Sequence, residues 1–305
     1  MVVTPLKHTP YDGTSKPFTI GLMQLQESEW LEEDQNLVAY IDEKLSLYKS
    51  LPDKVLVEDE DTRDAQNEVL ALVRDHLLRH CPSLYQYTDD VMTVAGERRI
   101  DLSDESLSPI ARAALLVQED LVLMRKSAEG WKLCAASLCF PSAWSLLEKF
   151  KRPLNEIHAP VPGFGAGTRN AGLIERMFDN LGPERLVLRW NWSVHGDGAL
   201  YHPYSNLGPG PRFGEGDMRG RVWLRLERQT LRKLPQSGDI LFTIRIHLNP
   251  VEMLEARPNG PQLAQSLNEQ LAGLTADEAD YKGIKAERAR LASRLQEIAT
   301  GTRRP

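Results

Sequence analysis

The sequence predicts an α+β protein whose core is a five-stranded antiparallel sheet, with helical additions before and after it. Three segments alternate apolar and polar residues with a period of two, which is typical of antiparallel strands with one covered face: residues 185–194, 221–228 and 239–248. Two more apolar segments, residues 121–126 and 131–140, are joined by a short turn that contains glycine, which predicts a hairpin. These five segments supply the sheet.

Helical spacing on either side of the sheet divides the chain into three regions. We expect a mainly helical N-terminal region over residues 1–118, a sheet core over 119–249 and a helical extension over 250–305. The apolar residues of the extension form one stripe, which predicts a helix that packs on the core. A helix that docks on another subunit is the alternative.

Composition excludes several classes of protein. A chain of 305 residues is long enough for one large or two modest hydrophobic cores. The formal net charge of −6 gives no basic surface for nucleic acid. Three cysteines are too few for a disulfide framework. No segment approaches the ~18 apolar residues of a membrane span, and the first residues lack the apolar stretch of a signal peptide, so we expect no membrane and a cytoplasmic location.

Three helices are predicted in the N-terminal region. The apolar residues between Trp30 and Leu47 recur mostly at helical spacing. Acidic residues crowd the start of that segment, where the positive end of a helix favours them. Residues 62–80 form an amphipathic pattern, and Ser108 followed by Pro109 predicts a further helix start.

A rigid segment after the hairpin carries the most distinctive histidine. The second strand breaks at Phe140 and Pro141, and a short helical pattern follows. His158 then precedes Pro160 and Pro162, which fix their own φ and bias the preceding residues toward extended backbone. An imidazole held in this way suits a metal or cofactor ligand, and it suits an ordinary buried turn equally well.

Two glycine-rich stretches lie on either side of the third strand. Residues 163–170 contain alternating glycines, but they follow a proline segment rather than a strand. We therefore expect a helix that begins near Thr168 and not a dinucleotide site. Residues 195–220 hold seven glycines and three prolines. A loop of this length in a compact domain is usually functional or disordered, and a lid or a partner-docking loop would fit it.

Four sequence blocks of the core resemble one protein family. They are LCFPSAW (138–144), NEIHAPVPGF (155–164), RLERQTLRKLP (225–235) and ILFTIRIHL (240–248). With these blocks in order over roughly residues 18–250, the chain resembles the haem-dependent oxidative N-demethylases, whose haem subunit has a PAS-like fold. Two strands, a helical crossing segment and three more strands is also the order of a PAS-like domain, so pattern and resemblance predict the same architecture.

The resemblance implies an enzyme activity and its cofactor. Oxidative N-demethylation uses O2 to convert a small secondary amine, such as dimethylamine, into a primary amine and formaldehyde. The implied cofactor is haem b, and we expect it to bind non-covalently. The reason is that Cys134 and Cys139 are spaced C-x4-C and no histidine follows them as in c-type haem attachment.

The resemblance also implies partner subunits. Activation of O2 needs electrons, and the chain carries no flavin or iron–sulfur motif. The expected source is a separate NADPH-dependent reductase subunit that holds flavin and an iron–sulfur cluster. Another subunit of the same hetero-oligomer is expected to handle formaldehyde through tetrahydrofolate.

The resemblance gives candidate residues for the haem pocket. His158 is the expected proximal ligand of the iron, because in haem-binding PAS domains the ligand comes from the helical segment after the second strand. His195, where a strand ends and the long loop begins, is the runner-up. Phe164 and Trp192 are then expected in the pocket wall, although core packing also explains a tryptophan.

Arg225 and Glu227 are the expected catalytic pair, and they lie two residues apart in a block that the family shares. A cationic amine favours a nearby carboxylate, and oxygen that gains charge favours a donor such as arginine. The alternation of the strand opposes this assignment. If haem rests on the apolar face, Arg225 and Glu227 point away from it and form a solvated or interface ion pair.

Three other hypotheses stay open on sequence alone. His195, His202 and Asp197 would suit a non-haem metal site. A haem-PAS sensor of gas or redox state would need a separate output protein, because the 305 residues contain no kinase, cyclase or DNA-binding module. The third is a haem-free scaffold subunit.

Overall fold

A seven-stranded antiparallel sheet organises the chain in this computed structural model, which describes residues 2–204 and 211–301. The strands are β1 (Met23–Gln24), β2 (Leu56–Glu58), β3 (Tyr85–Thr88), β4 (Val91–Val94), β5 (Arg98–Asp101), β6 (Asp120–Ser127), β7 (Gly130–Ser137), β8 (Leu186–His195), β9 (Trp223–Lys233) and β10 (Ile240–Pro250). The large sheet has the order β1-β8-β9-β10-β6-β7-β2, and β3, β4 and β5 form a second, three-stranded sheet.

Helices surround both sheets. They are α1 (Leu37–Ser50), α2 (Pro52–Val55), α3 (Arg63–His80), α4 (Pro109–Ala114), α5 (Leu146–Lys149), α6 (Leu154–Ile157), α7 (Arg169–Asn180), α8 (Gly260–Gly273), α9 (Ala276–Tyr281) and α10 (Arg288–Thr300). Short 3₁₀ turns occupy Glu27–Glu29, Glu60–Thr62 and Val251–Ala256. In the described ranges, no helix combines the length and the apolar character needed to span a bilayer.

The predicted α+β class is confirmed, and the predicted count of five strands is wrong. All five predicted segments form strands of one sheet, β6 to β10, but β1 and β2 extend its two edges. β1 pairs with β8 through Met23 and Leu188, and β2 pairs with β7 through Leu56 and Ser137. The two edge strands have two and three residues. They are too short to show a period of two, so the sequence pattern did not reveal them.

The N-terminal region contains strands as well as the predicted helices. Helices α1 and α3 lie in the segments with helical spacing, and the Ser108 hydroxyl caps α4 by accepting a hydrogen bond from the Ala111 amide. The small sheet lies between α3 and α4. Its first turn is built on Asp89 and Asp90, which both have positive φ, the backbone geometry of a tight two-residue hairpin.

The pairing of β9 with β10 decides which side chains meet each face of the large sheet. The ladder joins eleven residues of each strand. Glu227 lies opposite Ile246 and Gln229 lies opposite Ile244, so the polar row of β9 and the apolar row of β10 share one face. Leu226 points to the other face, where it joins a separate hydrophobic cluster.

The C-terminal extension covers that other face. Buried leucines of α8 and α10, including Leu267 and Leu295, belong to the same hydrophobic cluster as Leu226 and Val194 of the sheet. Burial of these apolar side chains stabilises the extension against the sheet. The predicted packing helix at the C-terminal end is therefore confirmed.

Residues 2–24, here called the N-terminal arm, cross from the end of β10 to the edge of β8. Near the start of the arm, the amide of Thr4 donates to the carbonyl of Leu248 at 3.0 Å. The side-chain amide of Asn249 donates to the carbonyl of Thr4 at 2.7 Å. At the other end, β1 is paired with β8. The arm is thus joined to the sheet at both ends.

Candidate functional site

A cavity of about 940 Å³ lies against the face of the sheet that carries Glu227 and Gln229. Its other walls are the N-terminal arm, the crossing segment that contains α5, α6 and α7, and Tyr281 with Lys282 after α9. The volume is at the upper end of the range for small-molecule and cofactor pockets. Most of the lining is apolar or aromatic, and representative residues are Met124, Phe164, Met177, Phe178, Phe242 and Ile244.

His158 stands in the wall of this cavity, directly after α6. Its amide donates to the carbonyl of Leu154 at 2.9 Å, which fixes the backbone at the end of the helix. Burial, helped by the nearby charge of Arg189, lowers the pKa of His158 to about 4. The imidazole is therefore neutral at pH 7, which is the form that binds metal ions.

The ring of Phe164 lies next to His158, with 6.4 Å between the ring centroids. Phe164 is buried and lines the same cavity. A smaller cavity of about 300 Å³ lies beside the first, and His158 and Phe164 line it too. The two rings therefore form part of the partition between the cavities.

A group of polar side chains also lines this cavity. The side-chain amide of Gln229 donates to Glu227 at 2.7 Å. Arg189 donates to the carbonyl of Thr19 at 3.3 Å, but its buried Nε has no hydrogen-bond partner in the part of the chain that the structure describes. Oε1 of Gln229 is also buried and has no hydrogen-bond partner among the described residues. Buried polar atoms without partners are costly, so these two atoms favour a polar ligand in the cavity.

Lys282 adds a second cation to this wall. Its ammonium donates to the carbonyl of Trp192 at 2.6 Å and lies 4.9 Å from the centroid of the Trp192 ring. Burial lowers the pKa of Lys282 to about 8 and lowers the pKa of Arg189 below its ordinary value, although Glu227 opposes both shifts. Trp192, which the sequence placed in the pocket wall, lines the cavity and is largely buried against the hydrophobic cluster of the other face.

Arg225 does not line the cavity, although Glu227, two residues away, does. The Arg225 side chain is completely buried. It donates to the hydroxyl of Ser142 at 2.6 Å and to four main-chain carbonyls, those of Phe140, Pro141, Ala199 and Leu200. The guanidinium therefore joins the start of the crossing segment to the long loop after β8. The structure does not bring the expected pair together at one site.

His195 and His202 also lie away from the cavity lining. Their rings meet edge to face with centroids 4.5 Å apart, and Nε2 of His195 is hydrogen-bonded to the Ser193 hydroxyl at 2.8 Å. Nε2 of His202 is 3.8 Å from the Asp197 carboxylate. Among the described residues, these three side chains do not form a group with closely spaced ligating atoms. Residues 205–210 of the loop that we expected to act as a lid or docking segment lie outside the described residues.

The sequence interpretation missed Arg189 and Lys282. Arg189 carried a usable signal, because it occupies the polar row of β8 on the side opposite the strand's apolar row. Lys282 follows a short helix in the C-terminal extension, and nothing in the local sequence connects it with the sheet core. Its place at the cavity depends on how α9 packs, which is a tertiary property.

The residues at the cavity fit the binding of haem. An apolar, aromatic cavity suits a flat macrocycle, a neutral imidazole suits its iron, and the two partly buried cations suit its carboxylates. A model of the family described as "Haem-dependent oxidative N-demethylase, alpha subunit-like" matches residues 21–292, which is most of the chain. The matched range includes His158, Glu227 and both cations. The chain therefore belongs to the family of proteins like the alpha subunit of haem-dependent oxidative N-demethylase.

Proposed function

We propose that this chain is the haem-binding subunit of an oxygenase that demethylates a small secondary amine. The observation that carries the proposal is that one cavity is lined by both a neutral imidazole, His158, and a buried carboxylate, Glu227. The reaction consumes the amine, O2, two electrons and two protons, and it releases the demethylated amine, formaldehyde and water. Dimethylamine is the substrate that we would test first.

His158 would hold the haem iron from one side, and the apolar residues around Phe164 would exclude water from the macrocycle. Haem would be bound non-covalently as haem b, and it would supply the iron centre at which O2 is activated. Arg189 and Lys282 would pair with the carboxylates of the macrocycle. This pairing would give the buried Nε of Arg189 the partner that it lacks.

Glu227 would bind the substrate. An alkylammonium ion is cationic at neutral pH, and a buried carboxylate attracts it more strongly than water-exposed charge would. Gln229 holds Oε2 of Glu227 in place, so the carboxylate presents a fixed direction to the amine. We assign Arg225 a positioning role, because its guanidinium is occupied by Ser142 and four carbonyls.

The proposal includes partner subunits and a fold assignment. The family description names an alpha subunit, which supports a multi-subunit enzyme. We propose a reductase subunit with NADPH, flavin and an iron–sulfur cluster as the electron source, and a tetrahydrofolate-binding subunit as the acceptor of formaldehyde, all in the cytoplasm. The strand order β8-β9-β10-β6-β7, with helices crossing between β7 and β8, supports a PAS-like core.

The ligand assignment is tested by the absorption spectrum of the purified protein. We expect a Soret band in the wild type, loss of most of it in His158→Ala and its return when imidazole is added. His195→Ala, which removes the runner-up, should keep the band. A His158→Ala variant with wild-type haem content and spectrum would overturn the assignment.

The activity is tested with dimethylamine, O2 and a source of electrons. Formaldehyde should form in step with oxygen uptake, and dimethylamine should shift the Soret band before turnover. A Soret band without turnover under any electron donor would favour a haem sensor. Absence of a Soret band after haem is added would favour a haem-free scaffold subunit.

A further inference from the structure

A second group of ligating side chains includes one residue of the cavity lining, His8. It contains His8 from the N-terminal arm, Glu32 from the segment before α1, and His247 from β10. One ligating atom of each residue lies within 4.8 Å of those of the other two. Three segments that are far apart in sequence thus converge on one point.

The contacts centre on the Glu32 carboxylate. Nε2 of His8 lies 3.0 Å from Oε1 and 3.0 Å from Oε2 of Glu32, and Nε2 of His247 lies 3.3 Å from Oε2. His247 is only 5% exposed, and its Nε2 has no hydrogen-bond partner of acceptable geometry among the described residues. A buried imidazole nitrogen that lies near a carboxylate without a hydrogen bond of good geometry is available as a metal ligand.

Packing holds both imidazoles in place. The ring of Trp190 lies 4.5 Å from the ring of His8 and 6.1 Å from that of His247, between centroids. The rings of the two histidines are 5.2 Å apart and nearly perpendicular. Rigid placement lowers the entropy that would be lost when both rings bind the same ion.

Two cations also contact Glu32, and their charges affect how strongly the carboxylate can bind a metal ion. Lys7 lies 2.7 Å from Oε1, but its side chain is 66% exposed and can move into solvent. Nε of Arg228 lies 3.5 Å from Oε2, while its terminal nitrogens donate to the carbonyls of Glu29 and Trp30. Arg228 is therefore fixed beside the carboxylate. Its charge weakens the binding of a cation without occupying the position between the imidazoles.

We propose that His8, Glu32 and His247 form a binding site for a divalent first-row transition metal, with Zn²⁺ as the best match. Two imidazoles and one carboxylate are a ligand set that proteins use for zinc with a fourth position left open. Imidazole ligands disfavour Mg²⁺ and Ca²⁺, which prefer oxygen. Lys7 would leave the carboxylate when the ion binds.

A metal at this site would restrain the N-terminal arm. His8 belongs to the N-terminal arm and lines the cavity. A metal that joins His8 to His247 would fasten the arm to β10, on the face of the sheet that carries Leu226. This metal is separate from the haem iron, and the proposal goes beyond demethylation because it does not depend on haem.

The test is zinc binding by the full chain. Protein dialysed against zinc sulfate and then against metal-free buffer is analysed by mass spectrometry for zinc per chain. We expect one zinc per chain, and X-ray absorption at the zinc edge should show two imidazoles and oxygen ligands. Zinc is used because its content is measured independently of the haem iron.

The variants Glu32→Gln, His8→Ala and His247→Ala should each bind zinc at least about tenfold more weakly. His80→Ala is the matched control and should bind as the wild type does. Glu32→Gln keeps the shape of the side chain, and circular dichroism of each variant separates loss of the site from loss of the fold. Wild-type protein that takes up no zinc, or triad variants that keep it, would overturn the proposal. The Soret band reports on haem separately, so the two proposals fail independently.

Discussion

Glu227 and Gln229 point from β9 into the same cavity, and Nε2 of Gln229 donates to Oε2 of Glu227 at 2.7 Å. In the described parts of the chain, no lysine, arginine or histidine nitrogen lies within 4.0 Å of this carboxylate. The Gln229 amide therefore fixes the direction of this carboxylate in the cavity wall. Two other buried acids, Asp239 and Glu287, instead form ion pairs with arginines.

We expect Glu227→Gln to weaken the binding of a cationic amine. The substitution keeps the shape of the side chain and removes the charge, so the loss should be about 1.5–3 kcal/mol, or roughly tenfold to a hundredfold. The measurement is a titration of the Soret band with dimethylamine. Haem content should stay unchanged, because Glu227 is not needed to hold the macrocycle.

Glu184→Gln is the control for that titration, since Glu184 is exposed and lies outside the cavity lining. It should bind the amine as the wild type does. Equal affinity in the Glu227→Gln variant and the wild type would remove Glu227 from the substrate site.

We expect Arg225→Met to destabilise the fold. Removal of the guanidinium would leave three buried carbonyls, the carbonyl of Ala199 and the Ser142 hydroxyl without their donor, and the cost should be about 3 kcal/mol or more. Urea unfolding measures the change in the free energy of unfolding. Arg221→Met, at an exposed arginine close by, should change it by less than about 0.5 kcal/mol. Similar stabilities of the two variants would mean that Arg225 does not support the fold.

The free energy of unfolding should fall as the pH rises from about 4 to about 6, because of Asp120. This carboxylate is fully buried and accepts hydrogen bonds from the amides of Cys139 and Phe140, each at 2.8 Å. Burial raises its pKa from 3.8 to about 6, although the charge of Lys44 opposes the shift. The folded state therefore keeps the proton in a range where the unfolded chain has lost it, and the stability from this proton is lost as pH rises through 6.

The expected loss is on the order of 3 kcal/mol in the free energy of unfolding. Urea unfolding at several pH values between 3.5 and 7 measures it. Asp120→Asn should lower the stability at every pH and flatten this part of the profile, whereas Asp53→Asn, at an exposed site, should keep the slope. If the free energy of unfolding of Asp120→Asn still falls as the pH rises from 4 to 6, another group is responsible for the pH dependence.

The longer helices and strands were predictable because each is long enough to show its own period. Residues 62–80 gave the pattern of α3, and the cap formed by Thr168 was expected near the position where α7 begins. The edge strands β1 and β2 could not be predicted in the same way. Their pairing depends on the edges that β8 and β7 offer, so it is a property of the folded sheet.

The site was less predictable than the fold, because register decides it. Alternation along β9 alone places Glu227 opposite an apolar row and suggests that it faces away from a haem pocket. The pairing with β10 adds Ile244 and Phe242 to the same face, so one wall is both polar and apolar. The acidic residues before α1 were interpreted as favouring a helix start, and Glu32 among them instead meets two histidines from distant segments.

The contact between Thr4 and the end of β10 has a consequence for biosynthesis. The arm is made before the rest of the sheet, but the residues that hold its start, Leu248 and Asn249, are separated from Thr4 by more than 240 positions. Contacts of such high sequence separation form late in folding, because a long loop must close first. During synthesis this wall of the cavity is therefore still open after β6, β7, β8 and β9 have emerged. A bulky ligand can enter from that side before the arm closes.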